Sequence, residues 1–196
     1  MSSGPVFVDT WGWCALGHRA DRQHRAALEF YRRLRQASAP AFTSDYVLDE
    51  VITLLYRRAS HAEATRFVEG ILAAATLGHL SIERVTADRF VRAWALRKQL
   101  DDKPNISFTD LTSMVIMQER HIVQVFTADV HFTQVGLGFR SCHESREAGK
   151  GGRVSHLYTH RRVNSQVHSV NNVPHSIMLD SIMVSRIMYA YEISRP

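Results

Sequence analysis

Val6-Phe7-Val8-Asp9 is a run of three apolar residues that ends on a carboxylate. Apolar residues without polar alternation read as a strand buried on both faces, the habit of parallel sheets covered by helices. Outward from this run, as far as about Arg140, short β-branched segments alternate with long amphipathic ones. That order predicts an α/β fold with a parallel sheet.

The periodicity predicts a surface helix over Arg22–Gln36, with Ala26, Ala27, Phe30, Tyr31 and Leu34 on one face and Pro40 as its stop. Ala41-Phe42-Thr43 reads as a short strand. Ser44 then caps a helix through Val47, Leu48, Val51, Ile52, Leu54, Leu55 and Tyr56. Ser60 caps the next helix, whose body runs from Ala62 to Leu77 and ends at Gly78. His79–Val85 reads as extended, and Thr86 caps a helix carrying Phe90, Val91, Trp94, Ala95 and Leu96. A further helix starts near Ser107 or Thr109 and includes Leu111, Met114, Val115 and Met117. Ile122–Thr127 follows as a strand, and Val130–Thr133 as a turn or short helix. No internal repeat is visible.

With 196 residues, 45% of them hydrophobic and 22% charged, the chain excludes wholesale disorder and collagen-like architectures. Cys14 and Cys142 are too few and too far apart for a disulfide framework or a four-ligand zinc site, so a reducing, cytoplasmic setting is the expectation. The N-terminal residues lack the basic and apolar regions of a secretory signal, and no stretch approaches the roughly 18 apolar residues of a membrane span. A net charge of +5 favours a polyanionic partner. Residues 1–140 hold 17 Lys and Arg against 15 Asp and Glu, and residues 141–196 hold 7 against 4. The second segment is also rich in Ser, Gly, Asn and His, without a sustained apolar face. We therefore expect a folded domain over 1–140 and a basic tail over 141–196 that is disordered or ordered by a partner. Within the tail, the spacing of Ile182, Met183, Ile187 and Met188 within Ile177–Ile193 would suit one side of a short helix.

Four acids stand out by position. Asp9 follows a buried strand at its C-terminal end, where open parallel sheets place ligands. Its rival role is to cap the following turn through its side chain. Glu50 lies near the inward face of its helix, with Asp49 as the exposed neighbour, although a mid-helix Glu is ordinarily solvated. Asp110 stands in the first turn of a helix, where it either meets a ligand or complements the helix dipole. Asp129 follows the strand ending at Thr127 as Asp9 follows the first. A parallel sheet brings all four to one edge, and oxygen donors of this kind suit Mg²⁺ or Mn²⁺. Such ions orient water, lower its pKa and stabilise charge building on a phosphate.

These residues resemble the PIN-domain family, and most closely its bacterial VapC-like members. The resemblance spans about residues 5–140. It rests on Val6-Phe7-Val8-Asp9-Thr10, Thr43-Ser44-Asp45-Tyr46-Val47-Leu48-Asp49-Glu50-Val51, Ser107-Phe108-Thr109-Asp110 and Phe126-Thr127-Ala128-Asp129-Val130-His131-Phe132. It implies a three-layer α/β/α sandwich around a parallel sheet, followed here by a C-terminal extension. It also implies a metal-dependent endoribonuclease, the toxin of a toxin–antitoxin pair, acting on a structured RNA such as transfer RNA. Carried over position by position, Asp9, Glu50, Asp110 and Asp129 form the acidic cluster. Thr127 matches the polar residue beside the last acid, and Thr10 is its counterpart beside the first. The family further implies a homodimer and a small antitoxin that inserts side chains into the acidic groove. VapC-like proteins usually stop soon after the segment matching Phe132–Phe139, so the tail is a departure.

Arg19, Arg22, Arg25, Arg57 and Arg58 are candidates to hold the RNA backbone at the rim of the groove, against the alternative that they only solubilise helix faces. His156 and His160 are four apart but lack the acid of a zinc motif. His131 lies near Asp129 and reads as an exposed loop residue; Trp94 reads as core; one of Trp11 and Trp13 could line the groove, with packing favoured for both. Cys14 reads as a small buried apolar residue. The competing functions are a catalytically silent RNA- or partner-binding module of the same fold and a structure-specific DNA nuclease.

Overall fold

The computed structural model describes residues 4–142. The predicted tail structure, including the helix over Ile177–Ile193 and the pair His156 and His160, lies outside the described residues. Strand β1, Val6–Val8, is buried along its whole length, as an unalternated apolar run requires. It is followed by α1 (Thr10–Gly17), α2 (His24–Gln36), β2 (Ala41–Ser44), α3 (Asp45–Arg58), α4 (His61–Thr76), β3 (Ser81–Glu83), α5 (Ala87–Gln99), α6 (Phe108–Glu119), β4 (Gln124–Phe126), α7 (His131–Gln134) and β5 (Arg140–Ser141).

The sheet order is β3-β2-β1-β4-β5, and every pairing is parallel. From β1 the chain steps outward to β2 and β3, then returns past β1 to β4 and β5. Right-handed crossovers therefore lay helices on both faces of the sheet. The strand order reverses between β1 and β4, and at such a reversal the C-terminal ends of the two strands open a crevice. Asp9 follows one of those strands and Asp129 the other. Strand β5 carries the sheet across residue 140, where the composition changes.

The helix starts follow the capping chemistry of the sequence. The side chains of Ser44, Ser60, Thr86 and Ser107 each accept a backbone N–H from the first turn of α3, α4, α5 and α6 respectively. Two strands are shorter than their apolar runs: β3 occupies the centre of His79–Val85, and β4 only Gln124–Phe126 of Ile122–Thr127. Helix α1 falls where no amphipathic period was visible, because Thr10, Gly12, Trp13, Cys14, Ala15, Leu16 and Gly17 are all buried.

Trp94 is a correction. It is 53% exposed, together with Phe90 and Val91, and does not belong to the core. The buried positions of α5 are Arg89 and Ala93, because Arg89 is drawn inward by ion pairs to Glu83 and Glu119. The apolar trio is thereby turned outward.

Gly12 sets how closely α1 approaches β4. A Cβ there would lie 2.7 Å from the Phe126 carbonyl oxygen and 2.7 Å from the ring Cδ1. Backbone cannot swivel away, so Gly12→Ala is expected to cost about 1–3 kcal/mol as overpacking. At Gly17 the collision is with the Phe67 ring at 2.8 Å, which can turn, so Gly17→Ala should cost less. Urea denaturation of the two variants checks the order.

Candidate active site

Asp9 occupies the N-cap position of α1, yet its side chain makes no capping hydrogen bond. The capping role is thus set aside. Its Oδ2 accepts a 2.9 Å hydrogen bond from Thr127 Oγ1, which comes from the end of β4. Its Oδ1 is buried and has no hydrogen-bond partner among the described residues. An ionised carboxylate with one oxygen in that state is costly unless a cation completes it.

Thr127 does two things at once. Its hydroxyl donates to Asp9 and accepts the Asp129 backbone N–H at 3.0 Å, so it fixes two acids from neighbouring strands against each other. Glu50, from the middle of α3, turns toward α1, where Thr10 Oγ1 donates to its Oε2 at 3.0 Å. Asp110 enters from the N-terminus of α6. It shares a capping box with Ser107: Asp110 Oδ2 accepts the Ser107 N–H and Ser107 Oγ accepts the Asp110 N–H, both at 3.0 Å. Asp110 therefore does stabilise its helix start, and the same bonds aim it. Oxygens of Asp110 and Asp129 and a ring nitrogen of His131 lie within 4.8 Å of one another.

Electrostatics ties the four acids together. Burial pushes the Asp9 carboxyl well above the usual range, and the charges of Asp110 and Asp129 push it further, against hydrogen bonds from Thr127 and from the Thr10 backbone. Burial likewise raises Asp110; its bond to Ser107 opposes this, and Asp129 and Glu50 add to it. Glu50 is raised by burial, opposed by Thr10. The donors are hard oxygens, buried at Asp9 and Asp110 and half-buried at Glu50 and Asp129, which fits a divalent cation of the Mg²⁺ or Mn²⁺ type.

Behind the acids the mounting is rigid. Trp13 Nε1–H donates to Thr43 Oγ1 at 3.0 Å, and Thr43 donates in turn to the Val8 carbonyl at 2.9 Å, one residue before Asp9. Trp13 is therefore core, while half-buried Trp11 packs edge-on against Phe126. Cys14 is buried, as the sequence suggested, and burial pushes its thiol up to about 12. The five arginines named from the sequence are all exposed: Arg19 and Arg22 between α1 and α2, Arg25 in the first turn of α2, Arg57 and Arg58 in the last turn of α3. The last two stand seven and eight residues beyond Glu50, about 10–12 Å of helix rise away.

His131 is a second correction. It opens α7 and is only 16% exposed at its side chain, with Nδ1 3.0 Å from Asp129 Oδ1. The spacing Asp129-Val130-His131 was the signal for this. The Asp129 carboxylate accepts the His131 backbone N–H at 2.8 Å, an Asx turn that folds the histidine back over the acid.

The sheet order reverses between β1 and β4, with Asp9 and Asp129 following those strands and Asp110 beside Asp129; Asp9 and Glu50 lie outside the 4.8 Å group. The PIN domain model matches residues 6–137, and the chain belongs to the PIN-domain family, on its VapC-like toxin branch. The 23S rRNA-specific endonuclease VapC20 of Mycobacterium tuberculosis, found in strains CDC 1551 / Oshkosh and ATCC 25618 / H37Rv, is 34% identical over 133 residues. The match takes in 67% of this chain and 95% of the relative. The crystal structure of VapC20, described as a sarcin-ricin loop cleaving toxin, superposes with a TM-score of 0.56 over the same shares. VapBC2 from Rickettsia felis, solved on a DNA fragment from its promoter, shares the fold at a TM-score of 0.51 and 14% identity, covering 70% of this chain and 98% of that one.

Two expected results follow from the site. Thr127→Val keeps the side-chain shape but removes the donor to Asp9 and the acceptor for Asp129. RNA cleavage should fall about tenfold or more, and the unfolding midpoint should fall too, because Asp9 and the Asp129 N–H both lose a partner, at about 1–3 kcal/mol each where buried. The second concerns pH. Asp9, Asp110 and Glu50 all hold their protons more tightly in the folded state than in the unfolded chain. Without a cation, stability should therefore fall as pH rises from about 5 to 8, since the folded state binds more protons across that window. A bound cation takes the protons' place. Thermal scans should show Mn²⁺ raising the melting temperature more at about pH 8 than at about pH 5.5; equal gains would contradict the assignment.

Proposed function

We propose that this VapC-like endoribonuclease uses Mg²⁺ or Mn²⁺, held by Asp9, Asp110 and Asp129, to hydrolyse a phosphodiester in a structured ribosomal RNA. The observation that carries the reading is the buried, unpartnered Asp9 Oδ1 within a group of acids that repel one another. When bound, the cation polarises the scissile phosphate and supplies water of lowered pKa. The protein's own part is positional. Thr127 holds Asp9 and Asp129 in register, Ser107 aims Asp110, and Thr10 holds Glu50 where it can bind a second ion or orient water. A cluster this acidic repels RNA until it is filled, so the exposed arginines Arg19, Arg22, Arg25, Arg57 and Arg58 are the candidates to hold the backbone around it.

Ribosomal RNA takes precedence over transfer RNA as the substrate because the 34%-identical relative is a 23S rRNA-specific endonuclease. The complete set of four acids favours an active enzyme over a silent module. Within this reading the protein is a cytoplasmic homodimer restrained by a small antitoxin, and the basic tail expected from residue 141 begins only after β5, beyond Cys142. The test is incubation of the purified full-length chain with intact ribosomes, transfer RNA and flap DNA, with Mn²⁺ or with EDTA, followed by mapping of new ends. Cation-dependent cuts at one site in ribosomal RNA are expected. Cuts only in transfer RNA or DNA would redirect the substrate, and binding without cutting would select the silent module.

A further inference from the structure

We propose that His131 is a nitrogen ligand of the cation site and biases it toward Mn²⁺ and related transition ions over Mg²⁺. This rests on the metal-dependent reading above. Three observations carry it. A ring nitrogen of His131 falls within 4.8 Å of carboxylate oxygens of both Asp110 and Asp129. His131 Nδ1 stands 3.0 Å from Asp129 Oδ1. For an ion with bonds of about 2.1 Å, two ligand atoms at right angles lie about 3 Å apart, so the pair already has the bite of neighbouring ligands. The third is Asp9 Oδ1, buried without a partner on the acid that feels the charges of Asp110 and Asp129.

The position of the ring is built in. The Asx turn binds the His131 backbone N–H to Asp129, and buried Phe132 anchors the next residue in the core. An all-oxygen site suits Mg²⁺ as well as Mn²⁺, whereas imidazole favours ions further along the transition series. One histidine therefore turns a permissive site into a selective one. Because the turn is made by the backbone N–H, replacing the side chain leaves Asp129 held.

The test uses the full-length protein and Mn²⁺ itself. Electron spin-echo envelope modulation of the Mn²⁺-loaded wild type should show ¹⁴N coupling from a directly bound imidazole, lost in His131→Ala. Titration followed by the free Mn²⁺ signal, with Mg²⁺ as competitor, should show Mn²⁺ affinity reduced about tenfold or more in that variant. Mg²⁺ affinity should stay within about twofold, so that the preference itself collapses. Mn²⁺ bound to the wild type without ¹⁴N coupling would overturn the role of His131 and leave the metal reading standing. So would equal loss of both ions in the variant, the mark of a merely structural residue. A wild type that takes up neither ion would overturn both.

Discussion

Asp9→Asn is expected to lower RNA cleavage about 100- to 1,000-fold while leaving the protein in EDTA at least as stable as the wild type. Loss of one ligand charge from a phosphodiester-cleaving site removes several kcal/mol of transition-state stabilisation, roughly two to three powers of ten in rate. The stability half of the expectation is the more discriminating. In the absence of a cation, burial and the charges of Asp110 and Asp129 make an ionised Asp9 unfavourable. An amide of the same shape keeps an oxygen to accept from Thr127 and removes the repulsion. The variant should thus gain stability at alkaline pH without metal, and lose most of the increase in melting temperature that Mn²⁺ gives the wild type. Activity measured beside thermal scans in EDTA and in Mn²⁺ checks both halves. An inactive variant that also unfolds would make Asp9 a structural residue.

The second large effect is expected at Arg89, away from the acids. Its guanidinium donates to Glu83 Oε2 at 2.9 Å, to Glu119 Oε2 at 2.6 Å and to the Arg84 carbonyl at 2.6 Å. These bonds tie the end of β3 and the first turn of α5 to the last turn of α6, the helix whose other end carries Asp110. Burial pushes Glu83 up, and the hydrogen bonds from Arg120 and Arg89 more than reverse it, so its carboxylate is ionised in the fold. Arg89→Ala leaves that buried charge with Arg120 alone. Removing one partner of such a pair costs about 3 kcal/mol, chiefly as the penalty of the charge left behind. Arg92 pairs with Asp88 and Glu119 at the surface, and Arg92→Ala should cost under about 1 kcal/mol. Urea midpoints of the two variants give the comparison; equal losses would mean that the Arg89 network adds nothing beyond ordinary surface pairing.

Much of this architecture was legible because it follows from local chemistry. Val6-Phe7-Val8 reads as a buried strand and is one, and Ser44, Ser60, Thr86 and Ser107 begin helices because each hydroxyl has a first-turn N–H to accept. The convergence of the acids was legible through topology: a carboxylate after β1 and another after β4 meet wherever those strands are neighbours. What escaped depends on partners distant in sequence. Helix α1 is buried nearly all round and so has no polar face to reveal its period. Trp94 has helical spacing with Phe90 and Val91, but the inward direction of α5 is set by Arg89, whose partners Glu83 and Glu119 no local pattern indicates. His131 was visible as a neighbour of Asp129, and only the Asx turn shows that it folds back over the acid.

The proposed chemistry depends on Asp9 after β1, Asp129 after β4 and Asp110 at the start of α6 closing on one cation. Anomalous diffraction from crystals of the full-length protein grown with Mn²⁺ measures that directly. The expected result is a manganese peak within bonding distance of the Asp9 Oδ1 atom and of the Asp110 and Asp129 carboxylates. A peak elsewhere on the molecule, or no peak between these acids at millimolar Mn²⁺, would contradict the assignment of the site.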